Sequence, residues 1–180
     1  MAAISTLVPL GTPAPNFSLP SIDGRVVARD DFAAAPALLV AFLCNHCPYV
    51  RHVEQAFAEL VGEFPDLAAV AICSNNPAVV PADDTDGLRA QAARTGWAFP
   101  YLIDLDQSVG RAYQAACTPD FFLYDAHREL AYRGAMDDST PGNGKPVTGN
   151  LLRHAIDLVL AGRIVPEPHR PSMGCSIKWA

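Results

Sequence analysis

The chain has 180 residues, of which 50% are hydrophobic and 18% charged, and its 19 acidic and 13 basic residues give a formal net charge of −6. This composition excludes an intrinsically disordered chain. The acidic balance, with no lysine- or arginine-rich run, excludes nucleic acid as a partner. No apolar run approaches the roughly 20 residues that span a bilayer, so no membrane association is expected.

The amino terminus and the cysteines predict the compartment. Residues 1–5 carry no basic residue ahead of an apolar stretch, so they lack the charged region of a secretory signal. Five cysteines are too few for a disulfide scaffold in a chain of this length, and a reducing compartment would keep most of them as thiols. We therefore expect a cytoplasmic protein.

The first part of the chain has the pattern of an α/β layer fold. Residues 1–36 are rich in proline and turn formers, and they predict an entry segment with a hairpin at Asp23-Gly24. The continuous apolar run 37–43 predicts a central strand that is buried on both faces. Residues 48–64 carry apolar side chains at helical spacing. A second buried strand over 67–73 would then lie parallel to the first, because the helix crosses over between them.

The alternation of helices and strands continues to the end of the chain. The elements predicted are helix 86–95, strand 101–103, a short helix near 107–114, strands 121–124 and 130–133, and helix 150–161. Residues 163–180 contain three prolines and predict an irregular tail. The length of 180 residues is within the usual range for one compact domain, and no internal repeat is present. Residues 1–180 are therefore expected to form a single domain.

The segment Cys44-Asn45-His46-Cys47 stands between the first buried strand and the helix that follows it. Two cysteines at this spacing can close a disulfide, and the helix dipole favours a thiolate at the first of them. Cys44 is therefore the predicted nucleophile, and Cys47 would resolve the mixed disulfide that Cys44 forms. An imidazolium on His46 would stabilise the Cys44 thiolate further. This disulfide exchange requires neither a cofactor nor a metal ion.

Other roles for the cysteines stay open at this point. A single Cys-x-x-Cys pair can be half of a metal site, and with His46 or His52 the two thiolates would suit copper(I) or zinc in a metallochaperone. Cys73 and Cys117 have the pattern of buried core thiols. Cys175 lies in the polar tail, where packing in a core is less natural, so we consider it a possible resolving or exchange partner.

Segments spread over nearly the whole chain form a pattern that is more specific than the cysteine pair alone. They are Ala14-Pro15-Asn16-Phe17-Ser18-Leu19 with Asp23-Gly24, Phe42-Leu43-Cys44-Asn45-His46-Cys47-Pro48-Tyr49-Val50, Ser74-Asn75-Asn76, Phe99-Pro100-Tyr101-Leu102, Cys117-Thr118-Pro119-Asp120-Phe121-Phe122, Tyr132-Arg133-Gly134 with Asp137-Asp138, and Gly174-Cys175-Ser176-Ile177-Lys178-Trp179. Together they resemble the thioredoxin-like superfamily, specifically its alkyl hydroperoxide reductase/thiol-specific antioxidant group, which is peroxiredoxin-like.

The resemblance implies a thioredoxin fold of the α/β class, with a central mixed β-sheet flanked by helices. It implies Cys44 as the attacking thiolate and Cys47 as its partner. It also implies that Pro119 is a cis-proline facing the pair, although an isolated X-Pro bond is usually trans. Thr118 would offer its backbone to an incoming thiol substrate. The expected activity is that of a thiol–disulfide oxidoreductase, whose partners are protein or small-molecule disulfides and a thiol reductant.

The chain departs from the peroxide site of peroxiredoxins. That site needs a Pro-x-x-x-Thr-x-x-Cys segment and a separate arginine. If Cys47 takes the peroxidatic position, Cys44 stands at the threonine position and Val40 at the proline position. The region that would supply the arginine carries Thr118-Pro119 instead. The alternative enzyme hypothesis is a thiol-dependent peroxidase in which Cys47 or Cys44 attacks peroxide and Cys175 or the other member of the pair resolves. The altered motif argues against high peroxidase efficiency.

Overall fold

The computed structural model of the protein describes residues 2–180. These residues form ten β-strands and four α-helices, together with short 3₁₀ helices at Arg29–Phe32 and Pro81–Asp83. In chain order the elements are β1 (Ala2–Ile4), β2 (Ser18–Pro20), β3 (Val26–Ala28), β4 (Ala37–Phe42), α1 (Pro48–Gly62), β5 (Leu67–Cys73), α2 (Thr85–Thr95), β6 (Tyr101–Ile103), α3 (Ser108–Ala112), β7 (Cys117–Thr118), β8 (Asp120–Tyr124), β9 (Leu130–Gly134), α4 (Asn150–Leu160) and β10 (Met173–Ser176).

The central sheet has five strands in the order β6-β5-β4-β8-β9. Strand β4 is parallel to β5, and β5 is parallel to β6. Strand β8 is antiparallel to β4, and β9 is antiparallel to β8, so the sheet is mixed. Every residue of β4 is buried. This explains why the sequence of β4 is apolar without alternation, since both of its faces are covered.

Helix α1 connects β4 to β5 and directs one side towards the sheet. It begins with Pro48, which has no backbone N–H. At the first position of a helix this group would have no intrahelical acceptor, so proline costs no hydrogen bond there. Its buried side chains recur at spacings of three and four and are Val50, Val53, Phe57 and Leu60. The predicted helix between two parallel strands is therefore confirmed.

Helices cover one face of the sheet, and the amino-terminal segment contributes to the other. Helices α1, α2 and α4 contribute Phe57, Leu88 and Ile156 to one buried cluster. Residues Phe17 and Val27, near and within the β2–β3 hairpin, join Tyr113 just after α3 in the second cluster. The predicted α/β class, with a central mixed sheet flanked by helices, is thus confirmed. Among residues 2–180, no helix is both long enough and apolar enough to cross a membrane.

A second, three-stranded sheet was not predicted from the sequence. In this sheet β10 pairs antiparallel with β1 on one side and with β7 on the other. Strand β10 lies within residues 163–180, which were expected to be irregular. Strands of two to four residues are too short to show an alternating pattern, and only their tertiary pairing defines them. The carboxyl-terminal segment therefore belongs to the fold, where it pairs with the two residues that precede Pro119.

Asp120 is a fully buried carboxyl group at the start of β8. Its Oδ2 accepts a hydrogen bond from the Ala116 amide at 3.3 Å, and its Oδ1 has no hydrogen-bond partner within residues 2–180. Burial raises the pKa of Asp120 from 3.8 to about 8, because the charged form loses its hydration. The fold therefore favours the neutral acid.

We expect Asp120→Asn to remove one component of the pH dependence of stability. Because the pKa of Asp120 is higher in the folded state, its contribution is fully present below pH 3.8 and is lost as the pH rises towards about 8. The free energy of unfolding of the wild type should decline over this window relative to that of Asp120→Asn, as measured by urea denaturation at several pH values. Equal slopes in the two proteins would contradict the assignment.

Candidate active site

The Cys44–Cys47 segment forms the turn between β4 and α1. Cys47 is the N-cap residue of α1, whereas Cys44 lies three residues earlier, in the loop that leaves β4. Both cysteines are fully buried, and all five cysteines are unpaired thiols. The expectation that the helix dipole acts mainly on Cys44 therefore needs correction, since Cys47 is the residue at the helix amino terminus.

Thr118 contacts both thiols of the pair. Its Oγ1 lies 3.2 Å from Cys44 Sγ, and its carbonyl oxygen lies 3.2 Å from Cys47 Sγ. The Thr118–Pro119 peptide bond is cis, as the resemblance implied. The structure thus brings together four of the predicted site residues, namely Cys44, Cys47, Thr118 and Pro119.

Asp83 organises the turn and was not identified from the sequence. Its side chain is fully buried. Its Oδ1 accepts hydrogen bonds from the backbone amides of Asn45 and His46, at 2.8 and 3.0 Å. Its Oδ2 lies 2.6 Å from His46 Nδ1 and accepts a hydrogen bond from Asn75 Nδ2 at 2.7 Å. Asp83 therefore fixes the two residues between the cysteines by both their backbone and the imidazole.

Asp83 and Asp84 form a pair of acidic residues ahead of α2, and their sequence does not distinguish them. Asp84 is the N-cap of α2, and its Oδ1 accepts a hydrogen bond from the Gly87 amide. Capping is the usual role of an aspartate at a helix start. Asp83 instead turns into the protein, and only the tertiary structure reveals its contact with the Cys44–Cys47 turn.

His46 is shared between Cys44 and Asp83. Its Nδ1 lies 3.6 Å from Cys44 Sγ but only 2.6 Å from Asp83 Oδ2. The carboxylate is the closer partner, so it compensates much of the positive charge that a protonated His46 would offer to Cys44. The predicted contribution of His46 to stabilising a Cys44 thiolate is therefore weakened by Asp83, which the sequence analysis missed.

The pKa values of the two thiols are shifted in opposite directions. Burial raises the pKa of Cys44 well above its ordinary value, and the contact with Cys47 and the negative charge of Asp83 raise it further. The hydrogen bond from the Cys44 thiol lowers the pKa of Cys47, and contacts from Cys175 lower it further against the cost of burial. The Cys47 thiol also donates a hydrogen bond to the Thr118 carbonyl oxygen at 3.2 Å, which is lost when Cys47 ionises. These shifts favour a thiolate at Cys47, whereas the sequence analysis predicted it at Cys44.

The remaining cysteines fall into two classes. Cys73 and Cys117 are buried, and burial raises the pKa of each thiol, which leaves both unreactive. Cys175 is only half-buried; its backbone pairs with Thr118, and it packs against the buried cluster that contains Cys44 and Cys47. Of the three cysteines outside the pair, Cys175 is the one that is not fully buried.

A possible set of metal ligands overlaps the thiol pair. Cys44 Sγ, a ring nitrogen of His46 and a carboxylate oxygen of Asp83 all lie within 4.8 Å of one another. His52, considered as a ligand in the sequence analysis, instead places its Nε2 2.7 Å from Ser139 Oγ. Among residues 2–180 this is the sole group of three or more such ligands, and it differs from the predicted set because it contains Asp83 and lacks Cys47.

The AhpC/TSA family model matches residues 10–133. The chain belongs to the AhpC/TSA family. A hypothetical protein from Sinorhizobium meliloti 1021 is 47% identical, with a TM-score of 0.96 and 98% of each chain covered. An uncharacterized conserved protein from Geobacillus kaustophilus is 44% identical, with a TM-score of 0.97, and the match covers 100% of this chain and 97% of that one. No curated protein shows significant similarity.

More distant structures agree on the fold of this AhpC/TSA protein. A putative thiol:disulfide interchange protein DsbE from Chlorobium tepidum is 19% identical, with a TM-score of 0.65, and the match covers 85% of this chain and 99% of that chain. At this identity the likeness shows the fold alone. The thioredoxin fold implied by the sequence resemblance is therefore confirmed.

Asp83→Asn is expected to lower the pKa of Cys44, because it removes a buried negative charge that disfavours the thiolate. The Cys44 Cβ chemical shift, followed by NMR against pH, reports this ionisation. Asp84→Asn is the matched control, since asparagine caps a helix about as well as aspartate and this side chain does not face the thiols. An unchanged Cys44 titration in Asp83→Asn, or an equal change in Asp84→Asn, would refute the role of Asp83.

Proposed function

We propose that this AhpC/TSA protein is a thiol–disulfide oxidoreductase whose redox couple is Cys44 and Cys47, with Cys47 as the attacking thiolate. The observation that carries the proposal is the pair of thiols packed together against Thr118, with one of them at the amino terminus of α1. Two adjacent thiols of opposite protonation preference can form and break a disulfide without a cofactor.

The difference between the two thiols supports the roles that we propose for them. The Cys47 thiolate attacks one sulfur of a substrate disulfide, which forms a mixed disulfide and releases the other sulfur as a thiolate. Cys44 then loses its proton and attacks Cys47 Sγ, which closes the Cys44–Cys47 disulfide and frees the reduced substrate. We assign the departing proton to the His46–Asp83 pair, because these are the titratable groups grouped with Cys44 Sγ.

The substrate class follows from this chemistry. Protein or small-molecule disulfides would oxidise the pair, and a thiol reductant in a reducing compartment such as the cytoplasm would restore it. The alternative substrate is a peroxide. The hydroxyl of Thr118 lies beside Cys44 and not beside Cys47, so it does not replace the threonine of a peroxidatic site next to the thiolate.

We expect a glutathione redox titration to yield a reversible Cys44–Cys47 disulfide, detected by alkylation and mass spectrometry of the tryptic peptide over residues 30–51. The same samples are assayed for consumption of hydrogen peroxide, which should be slow. Fast peroxide consumption that survives Cys44→Ser would instead favour a peroxidase centred on Cys47.

The roles of the two cysteines are tested in a Cys175→Ser background. Cys44→Ser should trap glutathione on Cys47, whereas Cys47→Ser should leave Cys44 unmodified or modified at least about tenfold more slowly, because its thiolate fraction is smaller. The opposite pattern would return the attacking role to Cys44. Both variants replace one buried cysteine by serine, so each controls for the effect of that replacement on the fold of the other.

Metal binding is a second candidate function, favoured by the clustering of Cys44, His46 and Asp83. Sulfur, nitrogen and oxygen ligands of this kind suit zinc. The Asp83 oxygens already accept hydrogen bonds from two backbone amides and the Asn75 side chain, which reduces their capacity to bind an ion. Stoichiometric zinc or copper in the reduced protein, lost in both Cys44→Ser and His46→Ala, would support the metal function over the redox function.

A further inference from the structure

The proposed redox couple is closed off from the surface. Cys44 and Cys47 both have no exposed area, whereas Cys175 is half-buried. An external disulfide or reductant therefore cannot meet Cys47 while the surrounding backbone keeps this arrangement. The segment that carries Cys175 lies directly at this site, because β10 pairs with β7, which ends at Thr118.

The register of β10 places Cys175 opposite Thr118. The pairs in this ladder are Cys175 with Thr118 and Ser176 with Cys117, and β1 pairs with the other edge of β10. A strand edge with free amide and carbonyl groups is where an incoming extended chain would pair. Because Thr118 contacts both thiols, a substrate strand that presents a cysteine to Cys47 would use this same edge. In the present structure β10 occupies it.

The side chain of Cys175 makes the contact that a substrate thiol would make. Its backbone pairs with Thr118, whose carbonyl oxygen lies 3.2 Å from Cys47 Sγ, so Cys175 is held beside the pair, and this proximity helps to lower the pKa of Cys47. Burial raises the pKa of Cys175 to about 11, and the contact with Cys47 and its charge contribute to that rise. In the reduced protein the Cys175 thiol is therefore held in its protonated form beside Cys47. Formation of the Cys44–Cys47 disulfide removes the negative charge of Cys47. One of the causes that raise the pKa of Cys175 is then lost.

Gly174 permits this close approach. A Cβ atom at Gly174 would clash with the carbonyl carbon and oxygen of Thr118, which are backbone atoms that cannot turn aside. The neighbouring residue Met173 is exposed and faces no such restriction. A glycine is thus needed one residue before Cys175 for β10 to lie on Thr118 as it does.

We propose that β10 is an internal substrate strand and that Cys175 is a third redox thiol, which exchanges with the Cys44–Cys47 disulfide at the Cys47 sulfur. The inference rests on the proposed function, which supplies that disulfide. The Cys175 thiolate attacks Cys47 Sγ, the Cys47–Cys175 bond forms as the Cys44–Cys47 bond breaks, and Cys44 leaves as a thiolate that takes up a proton. The number of electrons in the protein does not change, so no further oxidant is needed.

The exchange moves the disulfide towards the surface. In the Cys47–Cys175 form, one sulfur belongs to a half-buried residue, and a thiol reductant of the class named above can attack it there. The same β10 strand excludes other extended chains from the Thr118 edge for as long as it stays paired. Protein disulfides would therefore have to displace β10, whereas small thiols would act through Cys175.

The test uses the full-length Cys44→Ser protein, oxidised with the small-molecule oxidant diamide. Trypsin cleaves after Arg51 and Arg163, so Cys47 and Cys175 lie on separate peptides and their disulfide appears as a cross-linked pair. We expect an intrachain Cys47–Cys175 link in most molecules. Addition of Gly174→Ala should lower its rate of formation about tenfold or more, since the effective concentration of the two sulfurs falls when β10 is displaced. Met173→Ala is the matched control and should leave the rate unchanged.

A second variant guards against a folding defect in Gly174→Ala. The double substitution Cys175→Ser/Ser176→Cys moves the thiol by one residue along β10. The thiol then points to the other face of the strand. In the Cys44→Ser background this variant should lose the intrachain link.

Absence of the link in Cys44→Ser, links only between chains, or an equal rate after the one-residue shift would overturn the proposal. A Cys44–Cys47 disulfide in the wild type and in Cys175→Ser would show that the proposed function stands regardless. Its absence from both would contradict the proposed function itself.

Discussion

The contact of Thr118 with the two buried thiols is the constraint on which the site depends. One residue places its hydroxyl against Cys44 and its carbonyl oxygen against Cys47, and its backbone pairs with Cys175 on the next strand. The cis bond to Pro119 belongs to the same segment. Any change in the position of this residue would alter both thiols and the strand that covers them. The proposed redox chemistry and the closure of the site therefore depend on the same structural element.

The two sulfurs differ because their neighbours belong to different parts of the fold. Cys44 follows β4 and lies near Asp83, whose carboxylate opposes a second negative charge. Cys47 begins α1, and it receives donors from Cys44 and from the carboxyl-terminal strand. Spacing in a Cys-x-x-Cys motif brings the two thiols together, but their pKa values also depend on their burial and on residues remote in sequence, such as Asp83 and Cys175.

The sequence predicted the parts of the fold that depend on local pattern. The buried strands β4 and β5 and the helix α1 were predicted because a continuous apolar run and a period near 3.6 are local features. Strands β7 and β10 were missed, because a pair of residues opposite Cys175 and Ser176 becomes a strand only through long-range pairing. Asp83 was missed for a related reason, since nothing local distinguishes it from its capping neighbour Asp84. Cys175 was recognised from its polar surroundings, but its contact with Cys47 required the fold.

Closure of the site and its chemistry have consequences for substrate choice. A peroxidatic thiolate needs a hydroxyl and a guanidinium beside it, but the Thr118 hydroxyl here serves Cys44, and the Arg51 Nε donates to the Asn45 carbonyl. The donors that reach Cys47 are instead thiols and backbone amides. A thiolate whose main partners are two other thiols is set up to exchange among sulfur atoms. This arrangement favours disulfide chemistry over peroxide reduction, because the groups that stabilise the thiolate are themselves able to form its next bond.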